Sequence, residues 1–341
     1  MNPLHPTLAP LALVVGATGG IGATLAGALL AKGWRVRALH RDPVAAARAR
    51  PEAGVEWIAG DALEARAYSA AARGVRVIVH AANPPRYRGW RTLALPMLGN
   101  AIGAARESGA RLVFPGNVYN YGPAHWRLVA ENTPQQPKTR KGRVRVEMEA
   151  MLERACAAGE IRALVIRAGD YFGPGQRDSW LTSVMIKPGQ PVKRVVYPGT
   201  FEAGHSWAYL PDLAATACRL LDIEQSLAAF EAFHFGGHWF EHGVDFADAI
   251  RRAGEAPGAP IARMSWLPLQ LGAPVVPLFR ELLEMRYLWQ NAVQLDDRKL
   301  VAALGAYAHT PIDEAMRVTL ESLGCLPRTL GAAGMPRTAL A

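Results

Sequence analysis

Short apolar runs alternate with longer amphipathic segments through the first half of the chain. The apolar runs predict strands at residues 11–15, 34–40, 55–59, 75–81, 111–114 and 161–167. Between them, apolar residues recur at helical spacing and predict helices, the clearest of which lie at 21–32, 94–108 and 144–158. Strands joined by helices are typical of parallel pairing, because each crossover must return the chain to the end of the sheet at which the previous strand began. The pattern therefore predicts a parallel sheet with helices on both faces.

The first predicted strand runs directly into a glycine pattern, Gly16-x-x-Gly19-x-x-Gly22, within the segment LALVVGATGGIG. One glycine allows the tight turn off the strand, a second lets the backbone approach a pyrophosphate, and a third lets the next helix pack closely on the sheet. That helix presents free N–H groups and its positive dipole end to the phosphates. Such a motif is informative only between a strand and a helix. Both are predicted here, so the segment indicates a dinucleotide-binding turn.

The regular alternation ends after residue 167. A stretch punctuated by Gly and Pro, 173–204, is followed by a predicted helix at 211–222 and a strand at 232–235 that returns to the sheet. Further helices are predicted at 244–253, 277–290, 297–304 and 311–323. We therefore predict an α/β fold, in which a doubly wound parallel Rossmann sheet carries a smaller, mainly helical C-terminal substrate lobe.

The same pattern predicts the domain boundaries. Residues 1–170 are expected to form the NAD(P)-binding Rossmann domain, with 205–236 returning to it. Residues 171–204 and 237–325 are expected to form the substrate-binding lobe, and 326–341 a tail.

Composition and charge exclude several classes of protein. Half of the 341 residues are hydrophobic and 20% are charged, which is typical of a globular chain. The net charge is +9, but the arginines are scattered, and an anionic cofactor accounts for part of the excess without a nucleic-acid partner. The N-terminus lacks the pattern of a signal peptide, and no apolar run reaches the ~18 residues of a spanning helix. We therefore expect a cytoplasmic protein with no membrane partner.

Cysteine and histidine spacing argue against a metal. Cys156, Cys218 and Cys325 are isolated and odd in number, so they support neither a disulfide framework nor a Cys-based metal site. His234, His238 and His242 recur every four residues, but Gly236-Gly237 interrupts them and a strand is predicted there. We expect no metal ion.

Short motifs at the ends of the predicted strands occur in an order that is typical of one family. They are GATGGIG after the first strand, Gly60-Asp61 after the third, HAAN at 80–83 after the fourth, RAGDYFGPG at 167–175 after the sixth, and WAYLPDLA at 207–214. With them the chain resembles the extended short-chain dehydrogenase/reductase superfamily, most closely its NAD-dependent epimerase/dehydratase branch. The resemblance covers about residues 10–323. It is specific for a fold and not for a reaction.

The resemblance implies which residues hold the dinucleotide. The pyrophosphate is expected to lie on the turn formed by Gly16, Thr18, Gly19, Gly20, Ile21 and Gly22. Asp61, with Ala62 beside it, is expected at the adenine amino group, and Ala81 and Ala82 under the adenine ribose. The expected cofactor-binding set is completed by Asn83, Arg167 and Gly169.

The end of the second strand, which reads Leu39-His40-Arg41-Asp42, bears on the choice of cofactor. An acidic residue there binds the 2′-hydroxyl of NAD, whereas a basic one accommodates the 2′-phosphate of NADP. Arg41 is permanently charged and can bind a phosphate through two hydrogen bonds. In the competing interpretation Arg41 is solvated and Asp42 binds the hydroxyl of NAD. We favour NADP over NAD.

The chain departs from the family at the positions that carry its chemistry. The family normally uses a Ser or Thr after strand five and a Tyr-x-x-x-Lys on the next long helix. Here Asn117 takes the serine's place, and its amide can still donate to a carbonyl or hydroxyl oxygen. Aligning Glu149 puts Lys141 at the tyrosine position and Arg145 at the lysine position, whereas aligning Glu147 puts Thr139 and Arg143 there. Neither register supplies a phenol.

Three interpretations of this departure remain open. In the first, Lys141 supplies the proton, its pKa lowered by repulsion from Arg145, or a tyrosine supplies it. The candidate tyrosines are Tyr119, Tyr121, Tyr87 and Tyr171. In the second, the protein binds NADP(H) without turnover, as a sensor or regulator. In the third, the basic pair clamps an acidic substrate or the cofactor phosphates.

We predict an NADP(H)-dependent oxidoreductase that transfers hydride to or from a carbonyl or alcohol carbon of a small, partly apolar molecule. Asn117 is expected to polarise the substrate oxygen, and Lys141 or a nearby tyrosine to move the proton. The non-catalytic regulator is the main alternative, and a nucleotide-sugar epimerase or dehydratase is the second. A homodimer is left open.

Overall fold

The computed structural model describes residues 9–51, 54–84, 90–122 and 127–326. Its helices and strands are, in chain order, β1 (Leu11–Val15), α1 (Gly20–Ala31), β2 (Arg35–His40), α2 (Pro43–Ala49), β3 (Val55–Ala59), α3 (Ala65–Ala71), β4 (Val77–His80), α4 (Leu95–Ser108), β5 (Arg111–Asn117), β6 (Arg127–Val129), α5 (Arg140–Ala157), β7 (Arg162–Ala168), β8 (Asp170–Phe172), β9 (Val195–Tyr197), β10 (His205–Tyr209), α6 (Leu210–Asp222), β11 (Phe230–Phe235), β12 (His238–Phe240), α7 (Gly243–Ala253), β13 (Ile261–Arg263), α8 (Leu267–Gly272), α9 (Pro277–Met285), β14 (Val293–Leu295), α10 (Arg298–Leu304) and α11 (Ile312–Ser322).

Seven parallel strands form the main sheet in the order β11-β7-β5-β4-β1-β2-β3. The order reverses between β1 and β4, so the carboxyl ends of these two strands border the crevice in which doubly wound sheets bind ligands. The predicted doubly wound Rossmann fold is confirmed.

The two faces of this sheet are covered by different helices, which explains why β1 is apolar at every position. Leu13 belongs to a buried cluster that includes Leu98 of α4 and Met148 of α5. Its neighbour Val14 lies in the cluster on the opposite face, with Leu25 of α1 and Leu213 of α6. A strand buried on both faces reads as a continuous apolar run rather than an alternating one.

The structure contains more sheet than the sequence pattern indicated, in short strands between residues 127 and 295. Strands β12, β10, β14 and β6 lie side by side in a second sheet, with β8 paired to β10, and β9 pairs with β13. These strands have three to five residues, which is too short for a readable pattern. Their core is aromatic, with Trp207 stacked on Phe246 at 3.8 Å between ring centroids.

Part of the expected return to the Rossmann sheet needs correction. Of residues 205–236, β11 joins the main sheet beside β7, and α6 contributes to the core on one of its faces. Strand β10, however, pairs with β8, β12 and β14 in the second sheet. The division of the chain into two lobes otherwise stays a prediction.

Several predicted boundaries also differ from the structure. Strand β5 continues to Asn117 instead of ending at residue 114. Helix α5 begins at Arg140 rather than at 144, because the Thr139 hydroxyl accepts a hydrogen bond from the Gly142 amide and caps the helix. The helix predicted at 277–290 ends at Met285 and is followed by a 3₁₀ turn. Residues 327–341 of the predicted tail lie outside the described residues.

Candidate active site

The glycine turn has the geometry that a dinucleotide phosphate needs. Gly16 has a φ of +94°, and a Cβ there would lie 2.7 Å from the Ala81 carbonyl, so only glycine fits between β1 and β4. A Cβ on Gly22 would lie 2.2 Å from the Gly16 oxygen, so α1 can approach the turn only without a side chain. Helix α1 begins after Gly19 with no capping side chain and no acidic residue in its first turn. Its N–H groups therefore fit an anion such as a pyrophosphate.

The two charged side chains at the end of β2, Arg41 and Asp42, are held differently. Asp42 caps α2, because its Oδ1 accepts a hydrogen bond of 2.9 Å from the Ala45 amide. The preceding Arg41 is exposed, and no carboxylate pairs with it in the described part of the chain. Oδ1 of Asp42 is thus engaged by the helix, whereas the Arg41 guanidinium has no ion pair among the described residues.

The other predicted adenosine contacts lie along the ends of β3 and β4. Asp61 uses Oδ1 to accept from the Leu63 amide at 3.0 Å, which fixes the turn after β3. The Ala62 carbonyl accepts from the Asn100 side chain at 2.9 Å. Ala81 continues β4 by donating its amide to the Val15 carbonyl at 2.9 Å, so Ala81 and Ala82 lie directly beside the glycine turn.

Asn117 ends β5 at the same edge of the sheet. Its side chain is buried, and Oδ1 accepts from the Tyr119 amide at 3.0 Å. Among the described residues no acceptor binds its Nδ2 group. The amide orientation is therefore fixed on one side and leaves a donor on the other.

Arg145 of α5 reaches the gap between β4 and β5. Its guanidinium donates to the Pro115 carbonyl at 3.3 Å and to Asn83 Oδ1 at 3.1 Å. It also lies 5.3 Å from the ring centroid of Phe114, within the range of a cation–π contact. A permanent positive charge is thus held against the backbone of β5, two residues before Asn117.

Lys141 is buried against helix α9. Its Nζ lies 2.9 Å from Glu281 Oε2 and donates to the Glu281 carbonyl at 2.7 Å. Burial lowers the pKa of Lys141, and the Glu281 carboxylate opposes this effect. The predicted direction of the shift agrees, but the predicted cause, repulsion from Arg145, is wrong: desolvation dominates, and the like charge that contributes is Arg140.

Two of the candidate tyrosines are held by other protein groups. The Tyr121 hydroxyl is fully buried, lies 2.8 Å from His234 Nε2 and accepts from Arg167 at 2.9 Å. The Tyr171 hydroxyl donates to the Gly116 carbonyl. Burial raises the pKa of both phenols, which disfavours proton release.

Tyr119 and Tyr87 are the two remaining candidate tyrosines. Tyr119 is buried in the 3₁₀ turn after Asn117, directly against the start of α5 near Gly142. Tyr87 lies outside the described residues.

Arg167, which the resemblance placed in the cofactor-binding set, forms a buried ion pair with Glu149. Its Nε and Nη2 donate to Glu149 Oε2 at 3.0 and 2.7 Å, and its Nη1 donates to Tyr121. Both members of the ion pair are buried, with 3% and 4% of their side chains exposed. The guanidinium is thus engaged inside the fold. Gly169 packs against Ser206 of β10.

Sequence reasoning missed three residues that the fold brings to this region. Arg50, after α2, lies against the glycine turn, Gln176 lies against Gly20, and Glu281 pairs with Lys141. They are between 32 and 156 positions from their partners in the chain, and no local pattern marks them. Within the described residues no cluster of His, Cys, Asp or Glu could hold a metal ion. None of the described helices is long and apolar enough to cross a membrane.

A doubly wound parallel sheet with this glycine turn at its switch point defines a dinucleotide-binding Rossmann protein. Residues 12–236 match the NAD dependent epimerase/dehydratase family. The chain belongs to this family, as the sequence motifs indicated.

Two relatives are named as oxidoreductases. The 3-diazoavenalumate denitrifying reductase of a Streptomyces species is 36% identical over 178 residues, which cover 48% of this chain and 57% of that protein. The dTDP-6-deoxy-L-talose 4-dehydrogenase (NAD(P)(+)) of Kitasatospora kifunensis is 31% identical over 179 residues, covering 50% and 56%. The chain thus spans little more than half the length of these curated relatives.

Among solved structures, the fold resembles UDP-glucose 4-epimerase from Bifidobacterium longum in complex with NAD⁺ and UDP. The TM-score is 0.70 and the sequence identity 17%, covering 92% of this chain and 97% of that one. At this identity the likeness establishes the fold alone.

Proposed function

We propose that this protein is an NADP(H)-dependent oxidoreductase that transfers hydride to or from a carbonyl or alcohol carbon of a small, partly apolar molecule. The observation that carries the proposal is the Asn117 Nδ2 group, which binds no acceptor among the described residues and lies at the carboxyl end of β5, two residues after the Pro115 carbonyl that Arg145 binds. A donor fixed on a rigid strand end is suited to polarise a substrate oxygen. The oxidoreductase names of two relatives agree with this assignment.

The cofactor would lie along the carboxyl ends of β1, β2 and β4. The glycine turn with the open N-terminus of α1 would bind the pyrophosphate, and Arg41 the 2′-phosphate. Arg145, anchored by Asn83, would place its positive charge near the nicotinamide ribose. A bound nicotinamide supplies or accepts the hydride in such a site.

Lys141 is the group that we assign to proton transfer. In the direction of carbonyl reduction, Lys141 Nζ gives a proton to the substrate oxygen as the carbon gains hydride, and solvent later restores that proton. Burial lowers the pKa of Lys141 and so favours release of the proton. Glu281 binds the same ammonium and fixes its position relative to α5.

The preference for a partly apolar substrate rests on the hairpin formed by α8 and α9, in which α9 carries Glu281. Leu267, Leu271 and Val275 of this hairpin are 59%, 73% and 83% exposed, next to the helix that reaches Lys141. The aromatic side chain of Trp207, by contrast, is buried in the lobe core and does not line a surface.

The test is NADPH oxidation by the purified protein against a panel of aldehydes and ketones of graded apolar size. Turnover of at least one compound, with NADPH preferred to NADH, is the expected result. A melting temperature that rises with NADPH but no turnover across the panel would instead support a non-catalytic regulator.

A further inference from the structure

Arg50 lies where α2 returns to the glycine turn. It follows Ala49, the last residue of α2, and its Nη2 group lies 3.4 Å from the Thr18 carbonyl. Because α2 begins at the end of β2, directly after Arg41 and Asp42, Arg41 and Arg50 flank the two ends of this helix. Arg50 is half-buried, so solvent screens its charge less than that of an exposed arginine.

The turn after β8 leaves room for this guanidinium. Gly175 has a φ of +72°, and a Cβ at this position would lie 3.1 Å from Arg50 Nη1. The guanidinium therefore lies between two backbone segments, the glycine turn and the 173–175 turn. Only the long contact to Thr18 engages it, and no carboxylate neutralises it among the described residues.

We propose that Arg50 is a second phosphate-binding residue, which together with Arg41 forms a divided site for the ribose 2′-phosphate of NADP(H). This inference rests on the proposed use of NADP(H). A phosphate with nearly two negative charges is bound best by several guanidinium donors, and neither arginine has a competing anion in the described chain. Arg50 would exchange its 3.4 Å contact with Thr18 for charge-assisted hydrogen bonds to the phosphate.

The experiment compares the binding of four probes to the purified full chain: NADPH, NADH, 2′,5′-ADP and 5′-AMP. The variants are Arg50→Ala and Arg50→Lys, with Arg48→Ala as the matched control, because Arg48 is an exposed arginine in the last turn of the same helix. We expect Arg50→Ala to weaken NADPH and 2′,5′-ADP by about tenfold and the other two probes by less than about twofold. Arg50→Lys should retain part of the affinity, and Arg48→Ala all of it.

Each remaining outcome is decisive. If Arg50→Ala weakens all four probes equally, or leaves all four unchanged, the assignment of Arg50 is wrong. If Arg41→Ala removes the preference for NADPH while Arg50→Ala keeps it, the proposed cofactor stands and only this inference is lost. If the wild-type protein binds NADH more tightly than NADPH, the proposed function itself is wrong in its cofactor.

Discussion

The buried pair formed by Glu149 and Arg167 should be essential for stability and dispensable for cofactor binding. Glu149→Gln removes the negative charge but keeps the size of the side chain. Arg167 then retains its full charge, with 3% of its side chain exposed, while its Nε and Nη2 groups, now 3.0 and 2.7 Å from Glu149 Oε2, lose the carboxylate. Breaking a buried ion pair by removing one partner costs about 3–5 kcal/mol, and an amide that still accepts one hydrogen bond places this variant near the lower end.

The assay is thermal unfolding combined with NADPH titration well below the melting temperature. At about 2–4 °C per kcal/mol for chains of roughly 150–250 residues, the melting temperature should fall by on the order of 5–10 °C. The dissociation constant for NADPH should change by less than about twofold, because neither side chain belongs to the glycine turn or to the end of β2, where we expect the phosphates. Glu153→Gln is the matched control, since Glu153 is exposed on the same helix.

Two results would refute this reasoning. A Glu149→Gln protein that melts with the Glu153→Gln control would mean that the pair contributes little to the stability of the fold. An Arg167→Met protein that keeps its melting temperature but binds NADPH at least tenfold more weakly would restore Arg167 to the cofactor site.

Three further predictions test the site. Lys141→Ala and Asn117→Ala should each lower kcat by about 10²–10⁴ with little change in NADPH affinity. If Lys141→Ala is fully active and Tyr119→Phe is inactive, the proton donor is instead Tyr119, in the 3₁₀ turn after β5. Arg41→Ala should remove most of the preference for NADPH over NADH, a change of about one to two decades in the ratio of dissociation constants, and an unchanged ratio would contradict the assignment. Burial and the nearby Arg167 charge lower the pKa of His234 from 6.5 to about 3, so below pH 6.5 this residue binds a proton in the unfolded chain but not in the folded one. The stability of the fold should therefore decrease as the pH drops from 6.5 towards 3. A His234→Gln variant whose melting temperature has the same pH dependence as the wild type would contradict this cause.

The features that the sequence predicted well are those encoded by neighbouring residues. The bounds of β1 and β3 agree with the prediction, because β1 is a continuous apolar run that stops at Gly16 and β3 is a largely apolar run, interrupted by Glu56, that stops at Gly60. The glycine turn was also readable from neighbouring residues, because Gly19 and Gly22 both lie against the Gly16 carbonyl. Gly16 itself lies against Ala81, which follows β4. The early start of α5 was also encoded locally, by the capping hydroxyl of Thr139, but the apolar spacing alone did not reveal it.

The features that the sequence did not predict depend on contacts between distant segments. Strand β10 lies between β12 and β14 and also pairs with β8, and these short segments have no pattern of their own. The burial that lowers the pKa of Lys141 comes with the approach of Glu281, 140 positions away. The motif that contains Arg167 suggested a contact with the cofactor, but its buried ion pair with Glu149 could not be read from that motif. Such long-range contacts determine the candidate site more than any local motif does.

In the register set by aligning Glu149, Arg145 stands where the family has its lysine, and this limits where the proton can come from. An arginine keeps the positive charge at this position, and here its guanidinium is fixed by the Pro115 carbonyl and Asn83. It does not lose its proton in proteins, however, so Arg145 can bind and orient but cannot act as the acid. In the family's arrangement the lysine lowers the pKa of the tyrosine beside it. In the same register Lys141 stands at the tyrosine's position, and its own burial lowers its pKa. Lys141 itself is therefore the candidate acid.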